Sequence, residues 1–392
     1  MADDLDQIFV TIDHLIKGLF PEPWQPVVSA IISIAALIGV FASLFAVTTV
    51  LERKGLGRIQ NRYGPNRVGP FGFLQPAADG IKALIKEDVV PYAADKVVHF
   101  IAPLAAVIPA FLVFTVLPIG RNMVLVDFDA GVLFFFAVGA ATELSVFMAG
   151  WSSRNKYSLL GAMRAIAQMI SYEIPLILSA VTVIMIVGSL STTRIVEAQA
   201  GYHPIGLPNW FVLTPWGFAG FILFMIAATA ETNRSPFDLP EGESEIIAGY
   251  YIEYSGFKFA LFFLGEYMGM FAISGLAITL FLGGWHAPLE VLEFVPSWMW
   301  FFAKLLAIIF VFIWIRGTLP RLRMDQLMNF AWKFMLPMAL INIITAAIWH
   351  FMHPGYQRWL VGAAIVAGSY VLLGRSLMEG KKLEKRTYRF AE

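Results

Sequence analysis

The sequence predicts an all-α integral membrane protein: a bundle of about nine transmembrane helices with amphipathic interfacial helices and structured cytoplasmic loops. Of its 392 residues, 58% are hydrophobic and only 14% are charged, whereas soluble domains usually carry about 25% charged residues. The apolar residues gather in stretches of roughly 20, the length that a helix needs to cross a bilayer. Aromatic residues make up 15% of the chain, which is typical of a lipid-facing surface with interfacial belts.

Nine stretches are apolar enough to be transmembrane helices, and the eighth is the shortest. They are Pro26–Leu51, Val97–Gly120, Gly131–Trp151, Met163–Leu190, Leu213–Ala230, Phe257–Leu282, Trp298–Ile315, Phe334–Trp349 and Trp359–Leu377. We interpret residues 1–392 as a single membrane domain. It comprises an outer amphipathic segment at 1–25, the transmembrane bundle at 26–377 and a basic cytoplasmic tail at 378–392.

The basic residues favour one side of the membrane. Alternate connections on that side are rich in Lys and Arg, as is the C-terminal tail, whereas the other side carries only Lys17, Arg121, Arg194 and Arg358. By the positive-inside rule, we expect the N-terminus outside and the C-terminus in the cytoplasm. Asp3, Asp4 and Asp6 stand where a signal peptide would carry basic residues, so we do not interpret the N-terminal segment as a signal peptide. The apolar residues that follow them recur at helical spacing and predict a short helix at the outer interface.

The first inner loop, from Glu52 to Lys96, is long and rich in Gly and Pro, which indicates a tightly turned backbone. An apolar stripe then follows at helical spacing, comprising Leu74, Ala77, Ala78, Ile81, Leu84 and Ile85. We predict a surface helix that lies in the inner membrane interface. The alternative is a basic loop that only sets the topology.

The third inner loop is acidic, which opposes the positive-inside pattern. Five acids lie within fifteen residues: Glu231, Asp238, Glu241, Glu243 and Glu245. A role other than topology is one interpretation, and a solvated acidic loop is the other. The neighbouring Pro236, Phe237 and Pro240 favour an ordered loop over a flexible one.

Three further acids lie inside predicted spans, where ionisable side chains are costly and usually functional. At 1.5 Å per residue, Glu143 lies roughly 12 Å, Glu173 roughly 15 Å and Glu266 roughly 13 Å from the inner end of its span. With Glu231 and the acidic loop, they predict a ladder of proton-exchanging carboxyl groups. Alternatively, each Glu holds two helices together by a hydrogen bond.

Two other features of the spans have structural interpretations. Lys304 lies near the outer end of its helix and is expected to reach towards the interface. Gly265 and Gly269 lie one helical turn apart in the sixth stretch. Together they predict ordinary close helix packing.

The residue inventory provides no redox centre. The chain has no cysteine, so disulfides and thiolate-ligated iron–sulfur clusters are excluded. All six histidines lie at or outside span ends, and we predict no metal site. The glycine-rich inner loop follows a membrane span and not a strand, so we reject it as a nucleotide loop. The formal net charge is zero, which gives no support to nucleic-acid binding.

Four long segments resemble one family closely. They read ERK…NRYGPNRVGP…LQPAADGIKALIKED, NKYSLLGAMRAIAQMISYEIP, AETNRSPFDLPEGESEIIAGYYIEYSGFKFALFFLGEYM and RGTLPRLRMDQLM. In this order they are similar to the quinone-side membrane subunit, the H subunit, of respiratory complex I. The chain length and the ninth span resemble bacterial members, which implies a location in the inner (plasma) membrane.

This resemblance implies a subunit of a proton-pumping NADH-quinone oxidoreductase with no redox centre of its own. Quinone is the implied substrate, while iron–sulfur clusters and FMN belong to partner subunits. Peripheral iron–sulfur and quinone-site subunits, antiporter-like subunits and small membrane subunits are the implied partners. The family's proton pathway falls on Glu143, Glu173, Glu231, Glu241, Glu243, Glu245 and Glu266. Its quinone chamber falls on Arg53, Arg62, Arg67, Asp79, Phe237, Arg321 and Asp325.

Alternatives remain open at this stage. Each chamber arginine can instead bind a loop carboxylate or a neighbouring subunit through a bidentate pair. The chain also fits the membrane subunit of a related hydrogenase-type complex. A stand-alone proton-coupled transporter is the third possibility, although such folds often show inverted repeats and no convincing repeat is visible here.

Overall fold

The computed structural model describes residues 6–203, 206–238, 249–353 and 355–378. Within these ranges the chain forms fourteen α-helices, joined by turns, loops and short 3₁₀ and π-helical segments, and no β-strand. The predicted all-α class is therefore confirmed. The helices are α1 (Ile8–Lys17), α2 (Gln25–Ile59), α3 (Gln75–Ile85), α4 (Lys96–Leu112), α5 (Gly131–Gly139), α6 (Ala141–Ser152), α7 (Lys156–Val187), α8 (Thr192–Glu197), α9 (Pro215–Glu231), α10 (Gly256–Phe281), α11 (Ser297–Thr318), α12 (Met324–Phe330), α13 (Leu336–Phe351) and α14 (Tyr356–Met378).

Eight helical segments in the described ranges are long and apolar enough to cross a membrane. Two of them each combine two α-helices: α5 and α6 form one span, and α12 continues through a π-helical turn, Ala331–Met335, into α13. The predicted fifth span corresponds to α9, a shorter apolar helix of 17 residues. At 1.5 Å per residue α9 is about 26 Å long. It is short because Phe211–Leu213 forms a separate 3₁₀ turn, and Thr214 caps the new helix start at the Gly217 amide.

The centre of the bundle is formed by α7 and α10. In the most apolar stretch of α10, 67% of the residues are buried inside the protein. The corresponding share is 11% in the first span and 6% in the last. Small residues allow α7 to approach its neighbours: a Cβ atom on Gly161 would lie 2.8 Å from the backbone of Gly249, and one on Gly150 would lie 2.3 Å from Ala162. The middle helices therefore place their polar side chains against one another, away from lipid.

Both segments that were predicted to form interfacial helices are helical. Helix α1 occupies Ile8–Lys17 and α3 occupies Gln75–Ile85. The apolar stripe of α3 is left exposed by the rest of the chain, with Ile81 58%, Leu84 66% and Ile85 80% accessible. A stripe of this kind fits a helix lying on a membrane or against another subunit.

Two expectations from the sequence need correction. The amine of Lys304 ends on protein groups and not in the membrane interface itself, because its Nζ atom donates to the carbonyls of Leu282, Gly284 and His286 at 2.7–2.8 Å. The amine thereby satisfies acceptors just beyond the C-terminal end of α10, where carbonyls otherwise lack partners. Gly265 packs closely on α4, with a Cβ position 3.4 Å from the Ala106 carbonyl, but Gly269 meets no atom within 4 Å. Gly269 instead borders a cavity.

Candidate functional site

Helices α4–α7, α9 and α10 line a cavity of about 100 Å³. Three of the predicted acids line it, namely Glu173, Glu231 and Glu266, together with polar groups of Thr142 and Asn233. Carboxylates from three different helices therefore share one small internal space. A cavity of this size accommodates several water molecules, since one water needs only about 10–15 Å³ of such volume.

Glu143 belongs to the same group of acids. Its carboxyl group on α6 interacts with that of Glu173 on α7, and Glu231 at the end of α9 is close enough to interact electrostatically with both. One carboxylate oxygen of Glu143 and one of Glu231 are buried without a hydrogen-bond partner in the described ranges. A buried carboxylate oxygen is costly unless it is protonated or hydrated, so this cluster has the chemistry of a proton-holding site.

Glu266, which also lines the cavity, is held by two tyrosines. The hydroxyl groups of Tyr250 and Tyr251 each lie 3.2 Å from its Oε1 atom and donate to it. Both tyrosines belong to the 3₁₀ turn Gly249–Tyr251, directly before α10. The remaining predicted acids, Glu241, Glu243 and Glu245, lie outside the described residues.

The inner end of α2 and the interfacial helix α3 form the first part of the predicted chamber. Arg53 Nη1 lies 2.6 Å from Asp79 Oδ2, and Gln75 donates to the other oxygen of the same carboxylate at 2.9 Å. Lys54 donates to the Phe71 carbonyl and lies over the Phe73 ring. The structure therefore brings Arg53 and Asp79 together as an ion pair, with both side chains half-exposed.

The second part of the predicted chamber follows α11. Arg321 Nη2 lies 2.9 Å from Asp238 Oδ2, and the Leu322 amide donates to the Pro236 carbonyl at 3.1 Å. Phe237 is buried and packs on the Tyr172 ring at 5.2 Å. Arg321, a predicted chamber arginine, is therefore paired with a loop carboxylate. The alternative interpretation of the arginines predicted a pair of this kind.

The three other chamber candidates are exposed at the inner surface. Arg62 donates to the Gln60 side chain at 2.7 Å, and the Asp325 backbone carbonyl accepts from Asn329 at 2.7 Å. Within the described ranges, the structure does not bring Arg62, Arg67 or Asp325 into an ion pair. They remain predictions about a surface that a partner or substrate would meet.

Sequence reasoning missed a buried charge cluster around Glu52. This carboxylate is 5% exposed and contacts the guanidinium groups of Arg234 and Arg316, while Tyr267 donates to its Oε2 at 2.5 Å. Arg234 also lies over the Tyr267 ring, 4.0 Å from its centroid. Four elements, namely α2, the loop after α9, α10 and α11, are joined here. The available signal was the acidic residue that ends the apolar run of the first span.

Electrostatics keeps Arg234 charged in this cluster. Burial by itself lowers the pKa of its guanidinium, but the attraction of Tyr267, Glu52 and Glu266 outweighs burial and raises that pKa above its usual range. A buried charge is tolerated when it is paired and hydrogen-bonded. Because both Glu52 and Glu266 act on Arg234, the charge cluster and the acid cavity are electrostatically linked.

Comparison with known proteins matches the sequence to one family. The family described as NADH dehydrogenase matches residues 32–347. The NADH-quinone oxidoreductase H subunit of Dehalococcoides mccartyi (strain CBDB1) is 50% identical over 328 residues, which cover 83% of this chain and 89% of the relative. The corresponding subunit of Geobacillus kaustophilus (strain HTA426) is 46% identical, covering 84% and 99%, and that of Polaromonas naphthalenivorans (strain CJ2) is 41% identical, covering 91% and 99%.

The chain belongs to the family of NADH-quinone oxidoreductase H subunits. It is accordingly a multi-pass membrane subunit of complex I, as the four sequence segments indicated. The matched region contains the acid cavity, both parts of the predicted chamber and the Glu52 cluster, and it leaves out α1 and α14. The chain contains no cysteine, and its described residues include no group of three or more side chains that could hold a metal ion.

Proposed function

We propose that this subunit forms the quinone-binding chamber together with a cluster-bearing peripheral subunit, and that it couples quinone reduction to proton translocation through its intramembrane glutamates. One observation carries the proposal. The eight residues from Glu231 to Asp238 run directly from the acid cavity to the Arg321 ion pair. A single short segment therefore belongs to both predicted sites, and a change at one end is transmitted to the other by the backbone.

The chemistry of quinone reduction provides a way for the chamber to act on the acid cavity. Reduction of a quinone to a quinol takes up two electrons and two protons, and the electrons must come from a partner because this chain has no cysteine and no metal-ligating cluster in its described residues. Negative charge that develops on the quinone competes with Asp79 and Asp238 for Arg53 and Arg321. Released carboxylates then change the electrostatic balance of the neighbouring acids.

The acid cavity provides the proton-carrying part of the proposal. Glu143, Glu173 and Glu231 interact with one another, and Glu266 lines the same cavity. A proton that enters at one carboxyl group needs only short steps to reach the next. We further propose that protons leave this cavity sideways into neighbouring antiporter-like subunits, since the outer half of α10 is closely packed by apolar residues.

The decisive experiment replaces Glu173 or Glu266 by Gln in the whole complex. Both variants are expected to assemble, to retain electron transfer from NADH to a hydrophilic acceptor, and to lose coupled quinone reduction and proton pumping. Glu22→Gln is the matched control, because Glu22 is exposed and lies before the first long helix. Full pumping in both Glu173→Gln and Glu266→Gln would exclude the proposed pathway.

A hydrogenase-type complex, the alternative that the sequence segments left open, predicts different partners. Gentle extraction followed by identification of the co-purifying subunits separates the two. Flavin and iron–sulfur subunits with NADH oxidation support the quinone-linked function, whereas a nickel–iron subunit would support the other. The relatives at 41–50% identity carry the name of the quinone oxidoreductase, which favours the first.

A further inference from the structure

The segment that joins the two predicted sites is held by one side chain of α7. Gln168 is completely buried. Its Nε2 atom lies 2.8 Å from the Ala230 carbonyl, 2.7 Å from the Phe237 carbonyl and 3.2 Å from Asn233 Oδ1. Ala230 directly precedes the segment, Asn233 lies within it, and Phe237 lies near its end. A single amide therefore fixes the separation between its cavity end and its chamber end.

The orientation of this amide follows from its surroundings. A glutamine amide has two N–H donors on its nitrogen and only acceptor capacity on its oxygen. Two backbone carbonyls at 2.7–2.8 Å can be satisfied only by the nitrogen. The opposite orientation would place the amide oxygen against two other oxygens. Neither orientation nor partner is free to change while the segment keeps its present shape.

Three other contacts attach the segment to different parts of the structure. Asp238 pairs with Arg321, Pro236 accepts from the Leu322 amide, and Arg234 pairs with Glu52. These three contacts attach the segment to elements of the chamber side. Gln168 attaches the same segment to α7, the helix that carries Glu173 five residues further on. It thus bonds both ends of the segment to the helix of the central acid, beside the packing of Phe237 on the Tyr172 ring.

We propose that Gln168 is a positioning residue that transmits changes in the chamber to the acid cavity. This inference rests on the proposed function. When Asp238 or Arg234 changes partner, the movement of the segment is passed through Gln168 to α7 and changes the distance between Glu231 and Glu173. Without the two carbonyl bonds, the segment can move without α7, so quinone reduction continues while fewer protons are translocated.

The test compares three variants in the intact complex in its membrane. Gln168→Met keeps the length and shape of the side chain and removes both donors. Gln168→Glu retains one donor when its carboxyl group is protonated. Tyr172→Phe is the control, because Tyr172 lies one turn further along α7 and loses a buried bond to the Leu327 carbonyl, at 3.0 Å, without touching the bonds of Gln168.

Two ratios are measured in each variant: quinone reduction relative to ferricyanide reduction, and protons translocated per NADH. Gln168→Met is expected to keep the first ratio and to lower the second severalfold, because it removes two carbonyl bonds and each is typically worth about a fivefold change in an equilibrium. Gln168→Glu should fall between Gln168→Met and the unaltered protein, and Tyr172→Phe should keep both ratios.

Three results would overturn the inference. They are an unchanged proton ratio in Gln168→Met, an equal loss in Tyr172→Phe, and failure of both Gln168 variants to assemble, which would make Gln168 a requirement for folding. The proposed function is judged separately by Glu173→Gln. If Glu173→Gln stops pumping while Gln168→Met does not, only the positioning role fails; if Glu173→Gln pumps fully, the acid pathway itself fails.

Discussion

The Nη1 atom of Arg234 lies 3.2 Å from Oε1 of Glu52, and both side chains are less than 10% exposed. These residues are 182 positions apart in the chain. Their pairing brings the inner end of the first long helix against the loop that follows α9. Arg316 from α11 and the Tyr267 hydroxyl complete the contacts of this carboxylate. The cluster therefore fixes the relative positions of the helices at the inner face.

Replacing Glu52 by Gln is expected to destabilise the subunit strongly. Two guanidinium groups would lose their carboxylate, and removing one partner of a buried pair typically costs about 3–5 kcal/mol. Thermal unfolding of the detergent-solubilised complex measures the loss. Arg53→Gln is the matched control on the adjacent residue, because the Arg53–Asp79 pair is 51% and 40% exposed and such pairs are worth only about 0–1 kcal/mol. Equal losses of stability in Glu52→Gln and Arg53→Gln would show that the buried Glu52 cluster stabilises the subunit no more than an exposed ion pair does.

Arg321 and Asp238 are expected to act as a unit in the quinone chamber. Their side chains are 38% and 11% exposed and lie 2.9 Å apart. Arg321→Gln and Asp238→Asn should each raise the apparent KM for quinone. In the double variant, the loss of apparent binding free energy should be smaller than the sum of the two single losses, because contacting residues typically interact by about 0.5–3 kcal/mol. The KM values of the three variants give this interaction. Strictly additive changes would show that the pair does not act on quinone together.

Acidification is expected to weaken the outer end of the bundle through His286. Burial and the nearby Lys304 lower the pKa of this imidazole below its usual value, against the opposing attraction of Glu293. The unfolded chain therefore takes up the proton first as the pH falls through about 6.5, the usual value for His, and stability is lost from there downwards. Melting temperatures between neutral and mildly acid pH measure this effect.

The control for the pH prediction uses a histidine at the surface. His286→Gln should remove that part of the pH dependence, whereas His353→Gln, at an exposed position, should leave it unchanged. A pH profile that is the same in His286→Gln and in the unaltered protein would assign the effect to another group.

The orientation in the membrane is expected to place α1 outside and α3 inside the cell. Because the chain has no cysteine, a single introduced cysteine is the only thiol of this subunit. Lys17→Cys should react with a membrane-impermeant maleimide in intact spheroplasts, whereas Lys82→Cys should react only after the membrane is opened. Labelling of Lys82→Cys before opening would reverse the predicted topology.

Much of the site could be predicted only as a set of candidates. The depths of Glu143, Glu173 and Glu266 follow from their positions in apolar runs, because the rise of a helix is constant. Whether they meet depends on how each helix is rotated, and the structure places Glu173 and Glu266 on a common cavity with Glu231. Arg53 and Asp79 were both candidates, yet their pairing required the turn between α2 and α3. Gln168 has no sequence signal, since its partners are mainly backbone carbonyls.

The sequence by itself determined that this is a membrane protein with long apolar helices, two interfacial helices and acids within its spans. These are local properties, because a lipid environment selects continuous apolar runs and internally hydrogen-bonded helices. The tertiary structure alone decided that α9 is shorter than a full span, that Lys304 serves backbone carbonyls, and that Glu52 meets Arg234 and Arg316. Those outcomes depend on helix rotation and on contacts between distant segments, which hydrophobicity along the chain does not encode.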